Sequence, residues 1–231
     1  MLDVSRKELK YIIPLREVYQ IKQKLSSVMS QDVHGKGEGY RVRSLYFDTL
    51  FDNDFEDKVD GYDKRQKIRL RIYDTNASTV KLELKQKDAG GQRKRSLSIS
   101  RQEAQRMIAG DYEFLLEHPE ELAKSLYTFM ITRSYRPKCV VEYDRLAYYR
   151  NENDIRITFD MNLRATESNF DIFDEDLILY PVAKPDEVTL EVKFNGFLYS
   201  YIKKIIDRAD KMQVSNSKYC RARRISKRGR I

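Results

Sequence analysis

The chain is expected to fold as a mainly-β α+β protein. In it, a closed antiparallel eight-stranded barrel forms a tunnel with a charged lumen, and helices pack on the outside. Three observations predict this. Several segments alternate strictly between apolar and polar residues, helical periodicity is confined to a few stretches, and in one strand four cations fall on a single face.

Taken in order, the first helix is marked by Pro14 at its start and by Leu15, Val18, Ile21, Leu25, Val28 and Met29 at helical spacing, which predicts a helix over 14–30. A loop follows, with Gly35, Gly37 and Gly39 in a run that lacks the order of a phosphate-cradling turn. In 65–73, Ile68, Leu70 and Ile72 share one parity while Arg65, Lys67, Arg69 and Arg71 share the other. In 79–87, Val80, Leu82 and Leu84 oppose Lys81, Glu83, Lys85 and Lys87. Ser100 and Glu103 make a capping box for a helix over 101–109, and a further helix is expected over about 112–131. In 154–161, Ile155, Ile157, Phe159 and Met161 oppose Arg156, Thr158 and Asp160; in 187–195, Val188, Leu190, Val192 and Phe194 oppose Thr189, Glu191, Lys193 and Asn195. A last helix is expected over about 197–211, and the basic stretch 221–231 reads as a solvated tail.

At 231 residues the chain fits one domain, 1–231. A hydrophobic content of 41% supplies a core in spite of 35% charged residues, which excludes disorder. The net charge of +8 points to an anionic partner. Two histidines, His34 and His118, leave no His-based metal cage or catalytic triad to build. Cys139 reads as a buried small hydrophobe and Cys220 as a surface thiol, in a reduced, intracellular and therefore cytoplasmic protein. No apolar run approaches the roughly 20 residues of a membrane span, so any membrane attachment comes through a membrane-protein partner.

A sheet with one solvated face carries charge without any function. Such faces usually mix both signs, however, and cations on neighbouring strands repel unless an anion lies between them. The four-cation face of 65–71 therefore points to a bound anion.

Lys10-Tyr11-Ile12-Ile13, Ser44-Leu45-Tyr46-Phe47-Asp48-Thr49, Ile68-Arg69-Leu70-Arg71-Ile72-Tyr73, Glu83-Leu84-Lys85, Glu142-Tyr143-Asp144-Arg145, Leu190-Glu191-Val192-Lys193 and Ser217-Lys218-Tyr219 occur in that order. Together they resemble the catalytic domain of the vacuolar transporter chaperone (VTC) polyphosphate polymerases, which has the triphosphate tunnel fold of the CYTH-like superfamily. The resemblance runs from about residue 5 to 224. It implies transfer of the γ-phosphoryl of ATP to the end of a growing polyphosphate chain. It implies catalytic cations at Lys10, Arg69, Arg71, Lys85, Arg145, Arg156, Lys193 and Lys218, with Lys58, Lys94, Arg95 and Ser217 as further substrate contacts. Glu191 is implied as the ligand of a Mn²⁺ or Mg²⁺ ion. Arg145 rests on the resemblance alone, because Cys139, Val141 and Tyr143 share its parity.

Two departures stand out. The related hydrolases resemble one another in a first strand of form Glu-x-Glu-x-Lys, whereas this chain has Arg6-Lys7-Glu8-Leu9-Lys10, which favours the polymerase branch. Where the polymerases place a lysine after residue 93, this chain has Ser98, with Lys94 and Arg95 as nearby substitutes. A triphosphatase or polyphosphatase on the same scaffold, and a non-catalytic binder of polyphosphate or nucleic acid, stay open as alternatives. Specific nucleic-acid binding is not expected, because no aromatics interleave with the cations of 65–71 to stack on bases. Tyr46 and Tyr143 read as core tyrosines with a wet hydroxyl.

Overall fold

The alternating segments become strands with the expected parity. The computed structural model describes residues 6–32, 39–88, 91–207, 209 and 211–228. Its strands are β1 (Arg6–Pro14), β2 (Ser30–Gln31), β3 (Tyr40–Asp48), β4 (Arg65–Ile72), β5 (Thr79–Asp88), β6 (Gly91–Ser100), β7 (Arg136–Arg150), β8 (Ile155–Thr166), β9 (Tyr180–Pro181), β10 (Glu187–Asn195) and β11 (Met212–Gln213). The helices among the described residues are α1 (Leu15–Leu25), α2 (Asn53–Val59), α3 (Arg101–Ala109), α4 (Phe114–Glu117), α5 (Glu121–Thr132), α6 (Ser200–Ile206) and α7 (Lys218–Arg228).

Of the eleven strands among the described residues, nine lie on one open hydrogen-bonded path, with β11 at one end and β6 at the other, while β2 pairs with β7 and β9 with β8 off that path, so the expected closed eight-stranded barrel is not formed. Eight strands are long, and β2, β9 and β11, two residues each, account for the other three. The ends have physical reasons to stay open. β11 reaches only Tyr11 and Ile12 of β1, and β6 exposes Arg93 and Lys94, charges that discourage edge pairing.

The chain divides into two compact units, with boundaries that fall inside β3, β7 and β8. The first comprises Met1–Arg41, Tyr143–Leu163 and Ala183–Ser217. Within it, β1 pairs β10 and β10 pairs β8, both antiparallel. The apolar parity of these strands buries Ile13, Ile157, Phe159, Leu190 and Val192 against Val18, Ile21 and Leu25 of α1 and Ile202 and Ile206 of α6. The second comprises Val42–Glu142, Arg164–Val182 and Lys218–Ile231, in which β3, β4, β5 and β6 pair in sequence order. Its core joins Ile68, Leu70, Leu82, Leu84 and Leu97 to Met107, Leu115, Leu126 and Met130 from α3, α4 and α5. Each such buried aliphatic contributes roughly 1.5–3 kcal/mol.

Helix limits differ from expectation for local reasons. The first helix stops at Leu25, because the Ser26 and Ser27 hydroxyls bond back to the carbonyls of Lys22 and Lys24. The long helix expected over 112–131 is broken at His118, held extended by the following Pro119. The Ser100–Glu103 capping box forms as expected. Helix α2 was not foreseen: Asp48, outside the helix, accepts the N–H groups of Asp54 and Phe55. The basic tail is also corrected. Residues 218–228 are helical, Arg223 and Cys220 are buried, and 229–231 lie outside the described residues. His34, Gly35 and Gly37 lie outside them too.

Candidate functional site

In the second unit, register decides which side chains meet. Tyr46 stands opposite Arg69, and Ser44 opposite Arg71. Across the next ladder Arg69 faces Glu83, Arg71 faces Lys81, Lys67 faces Lys85 and Arg65 faces Lys87. On β6, Lys94 is opposite Lys85, Ser96 opposite Glu83 and Ser98 opposite Lys81. Directly paired residues share a face, so one polar surface carries Arg69, Arg71, Lys85 and Lys94 together. Arg95 is not on it. It stands opposite Leu84 on the apolar face and donates to Gln86 Oε1 at 3.0 Å.

The anion sought for the four-cation face is supplied in part by the protein. Glu83 accepts from Arg69 Nε at 2.6 Å, pairs with Lys94 and lies 3.9 Å from Arg71 Nε. Burial opposes its ionisation, but Arg69, Arg71 and Lys94 outweigh that and hold its carboxyl far below the usual carboxylate range. Tyr46, buried rather than wet, accepts from Arg69 Nη1 at 3.0 Å and stacks on Tyr219 with ring centroids 5.2 Å apart. Tyr219 donates to Asp48 Oδ2 at 2.5 Å and thereby anchors the start of α7, where Lys218 is half-buried. Lys58 is half-buried near the end of α2. Ser98 receives a hydrogen bond from the Lys81 ammonium at 2.5 Å, which puts a cation where the lining was expected to be weak.

In the first unit the polar parities of β1, β8 and β10 also meet. Lys10 is opposite Glu191, Glu8 opposite Lys193, and across β8 Glu191 faces Thr158 and Lys193 faces Arg156. Lys10 Nζ lies 2.8 Å from Glu8; Lys193 pairs with Glu191 and lies 3.7 Å from Glu8. Burial works against the charge of Lys10, yet Glu191 and Glu8 prevail and raise its pKa. Arg145 grips Asp160 with two hydrogen bonds of 2.7 and 2.8 Å, its guanidinium 5.2 Å from the Tyr143 ring centroid. Arg145 thus joins the polar set in spite of its sequence parity. Arg156 donates to Asp32 at 2.6 Å and to Tyr40 at 3.1 Å. Gly39 needs its lack of a side chain: φ is +100°, and a Cβ there would stand 2.5 Å from the Arg145 carbonyl oxygen. Ser217 is half-buried at the end of this unit, next to Asn216, which donates to Thr189 at 2.9 Å.

Among the described residues, no group of three His, Cys, Asp or Glu side chains is placed to hold a metal. Glu191 with Glu8 offers a carboxylate pair bridged by Lys193, a donor set that fits a hard divalent cation only if a ligand supplies further oxygens. Sequence reasoning missed the roles of Glu8, Asp160, Glu83 and Tyr46. Two of these, Glu83 and Asp160, lie on polar parities of strands already identified, so cross-strand register was the missing information.

Solved structures share the fold. A candidate adenylyl cyclase of Hippeastrum, HpAC1, described as having a dominant triphosphatase activity, matches at 15% identity over 95% of each chain with a TM-score of 0.58. A candidate adenylate cyclase of Bacillus halodurans matches at 15% identity over 88% of each chain with a TM-score of 0.48. The fold is that of the tunnel-fold, CYTH-like proteins. Within that class the VTC domain profile matches residues 5–227, and the chain belongs to the VTC domain family. Comparison with curated proteins gives no match.

Proposed function

We propose that this chain is an enzyme of phosphate-chain chemistry: a metal-dependent polyphosphate polymerase that transfers the γ-phosphoryl of ATP to the end of a growing polyphosphate. The observation that carries this reading is the polar face of β4, β5 and β6, where Arg69, Arg71, Lys85 and Lys94 are brought together and outnumber the one carboxylate among them, Glu83.

The acceptor is itself a phosphate oxyanion, so the transfer needs no protein base. Positioning and neutralisation of charge carry the chemistry. Arg69 and Arg71 take phosphate oxygens in bidentate fashion, while Lys85 and Lys94 act as point charges. The family resemblance implies phosphate contacts at Lys58, Lys218, Lys10, Arg145, Arg156, Lys193 and Ser217 as well. Glu191 would hold Mg²⁺ or Mn²⁺, which would supply neutralisation of phosphate charge. Lys193, paired with Glu191 in the structure, would compete with such an ion for the carboxylate. Arg95, on the apolar face, is left out.

The test is incubation of the purified chain with ATP and Mn²⁺ or Mg²⁺, with products resolved on a gel. Long polyphosphate is expected. Free phosphate or tripolyphosphate cleavage alone selects the second reading, a tunnel-fold triphosphatase, which the activity described for the Hippeastrum protein favours. That reading also draws on Glu8, which keeps the second acid of the hydrolase pattern and lies at Lys10.

A further inference from the structure

The first unit carries a cavity that phosphate chemistry does not use. On β1, Lys7, Leu9 and Tyr11 point away from the face that bears Glu8 and Lys10, and on β10 Val192 and Phe194 point away from Glu191 and Lys193. Leu9 stands opposite Val192 and Lys7 opposite Phe194. Beyond the strand end, Gly196 turns the chain at a φ of +65°, so that Phe197 and Leu198 complete a wall with Ile206 of α6. The space, open to solvent on one side, is about 300 Å³, room for roughly ten water-sized groups.

Its lining specifies a ligand. The walls are apolar, and Phe197, at 60% exposed, is a large hydrophobe left open on them. Cations dominate the polar part. Lys7 and Lys203 are exposed and form no ion pair among the described residues. The one carboxylate of the lining, Asp207, is already bonded to Lys211 at 2.5 Å, and the Lys211 ammonium lies 4.8 Å from the Tyr11 ring centroid. Exposed ammonium groups beside apolar walls suit a guest with an anionic end and an apolar body, and a helix is too wide for a space of this size.

We propose that this cavity binds a small amphipathic organic anion, with the carboxylate on Lys7 and Lys203 and an unbranched hydrocarbon body against Leu9, Val192, Phe194 and Phe197. None of these residues belongs to the set assigned to phosphate, so the proposal stands apart from the proposed function.

Decanoate below its micelle concentration, titrated calorimetrically into the full chain, is the probe, with decan-1-ol and tripolyphosphate as comparators. One decanoate per chain is expected. The double substitution Lys7→Gln with Lys203→Gln should weaken decanoate about tenfold, the order of one charge-assisted contact, and leave decan-1-ol and tripolyphosphate unchanged. Phe197→Ala, at an exposed position that puts folding at little risk, should weaken decanoate and decan-1-ol alike. Absence of saturable decanoate binding, or binding that neither variant weakens, overturns the proposal. A chain inactive on ATP that still binds decanoate sinks only the phosphotransfer reading.

Discussion

The two units carry charge on their polar faces in different proportions. In the first, Lys10, Arg145, Arg156 and Lys193 are matched by Glu8, Asp32, Asp160 and Glu191, each cation within ion-pair distance of a carboxylate. In the second, Lys67, Arg69, Arg71, Lys81, Lys85 and Lys94 share a face with the single carboxylate Glu83. A cluster whose cations are each paired with a carboxylate is satisfied without a ligand. A face on which cations of neighbouring strands stand directly opposite one another is favoured by a bound anion. Under the proposed function, anion capture falls to the second unit and metal-linked exchange to the first.

The largest expected effect tests that division directly. Arg71→Ala and Lys193→Ala should each lower turnover with ATP by about a hundredfold or more, the scale of removing one positioned charge from a transition state. They should differ in cause. Arg71→Ala should weaken tripolyphosphate binding in the absence of metal, whereas Lys193→Ala should chiefly alter the metal concentration needed for half-maximal activity. Equal behaviour of the two variants in metal-free binding would erase the distinction between the units.

Next comes stability. Glu83→Gln leaves Arg69, Arg71 and Lys94 without their shared anion, and Arg69 and Arg71 are buried. Breaking such a buried cluster from one side should cost about 3 kcal/mol in urea denaturation, and added tripolyphosphate should restore part of it. The pH dependence has a definite sign. The folded pKa of Glu83 is depressed, so its contribution is fully present above the ordinary value of 4.5 and is lost as pH falls below that. The acid limb of the parent's stability curve should be shallower in the variant.

The sequence made the strands legible because alternation has a short period and each strand is long enough to show it. Lys193, Glu191, Arg69 and Arg71 were placed on polar faces that way. Alternation carries no register, however. Arg95 and Lys94 are adjacent in sequence, and only the pairing of Leu84 with Arg95 shows that they serve different faces. Closure was over-read for the same reason: counting long strands gives eight, but whether the two ends meet depends on edges that no periodicity describes. Helix α2 escaped because its start is held by Asp48, a residue outside any local capping pattern.

A smaller effect belongs to the second unit's interior. Asp54 accepts from Tyr135 at 2.8 Å and is pushed up to about 8, first by burial and then by Asp48. Here the sign reverses. Between 3.8 and about 8 the unfolded chain has released a proton that the folded one keeps, so folding stability falls as pH rises, by at most about 1.4 kcal/mol per pH unit. Asp54→Asn keeps an acceptor for Tyr135 and should remove that slope. Stability curves of parent and variant that stay parallel from pH 5 to 8 would contradict a protonated Asp54.

The smallest expected change is the sharpest test of register. Lys94→Ala removes a cation from the polar face of β4, β5 and β6 and one partner of Glu83, so under the proposed function tripolyphosphate affinity should fall several-fold and more steeply at low salt. Arg95→Ala, one residue on, removes a side chain that stands over Leu84 and bonds Gln86. Its loss should leave tripolyphosphate affinity and its salt dependence unchanged, because a cation on the apolar face contributes only through distant, screened charge. If instead Arg95→Ala weakens binding as much as Lys94→Ala does, net charge rather than facing geometry governs capture. The excess of cations on one side of β4 and β5 would then be a solvated surface rather than a site.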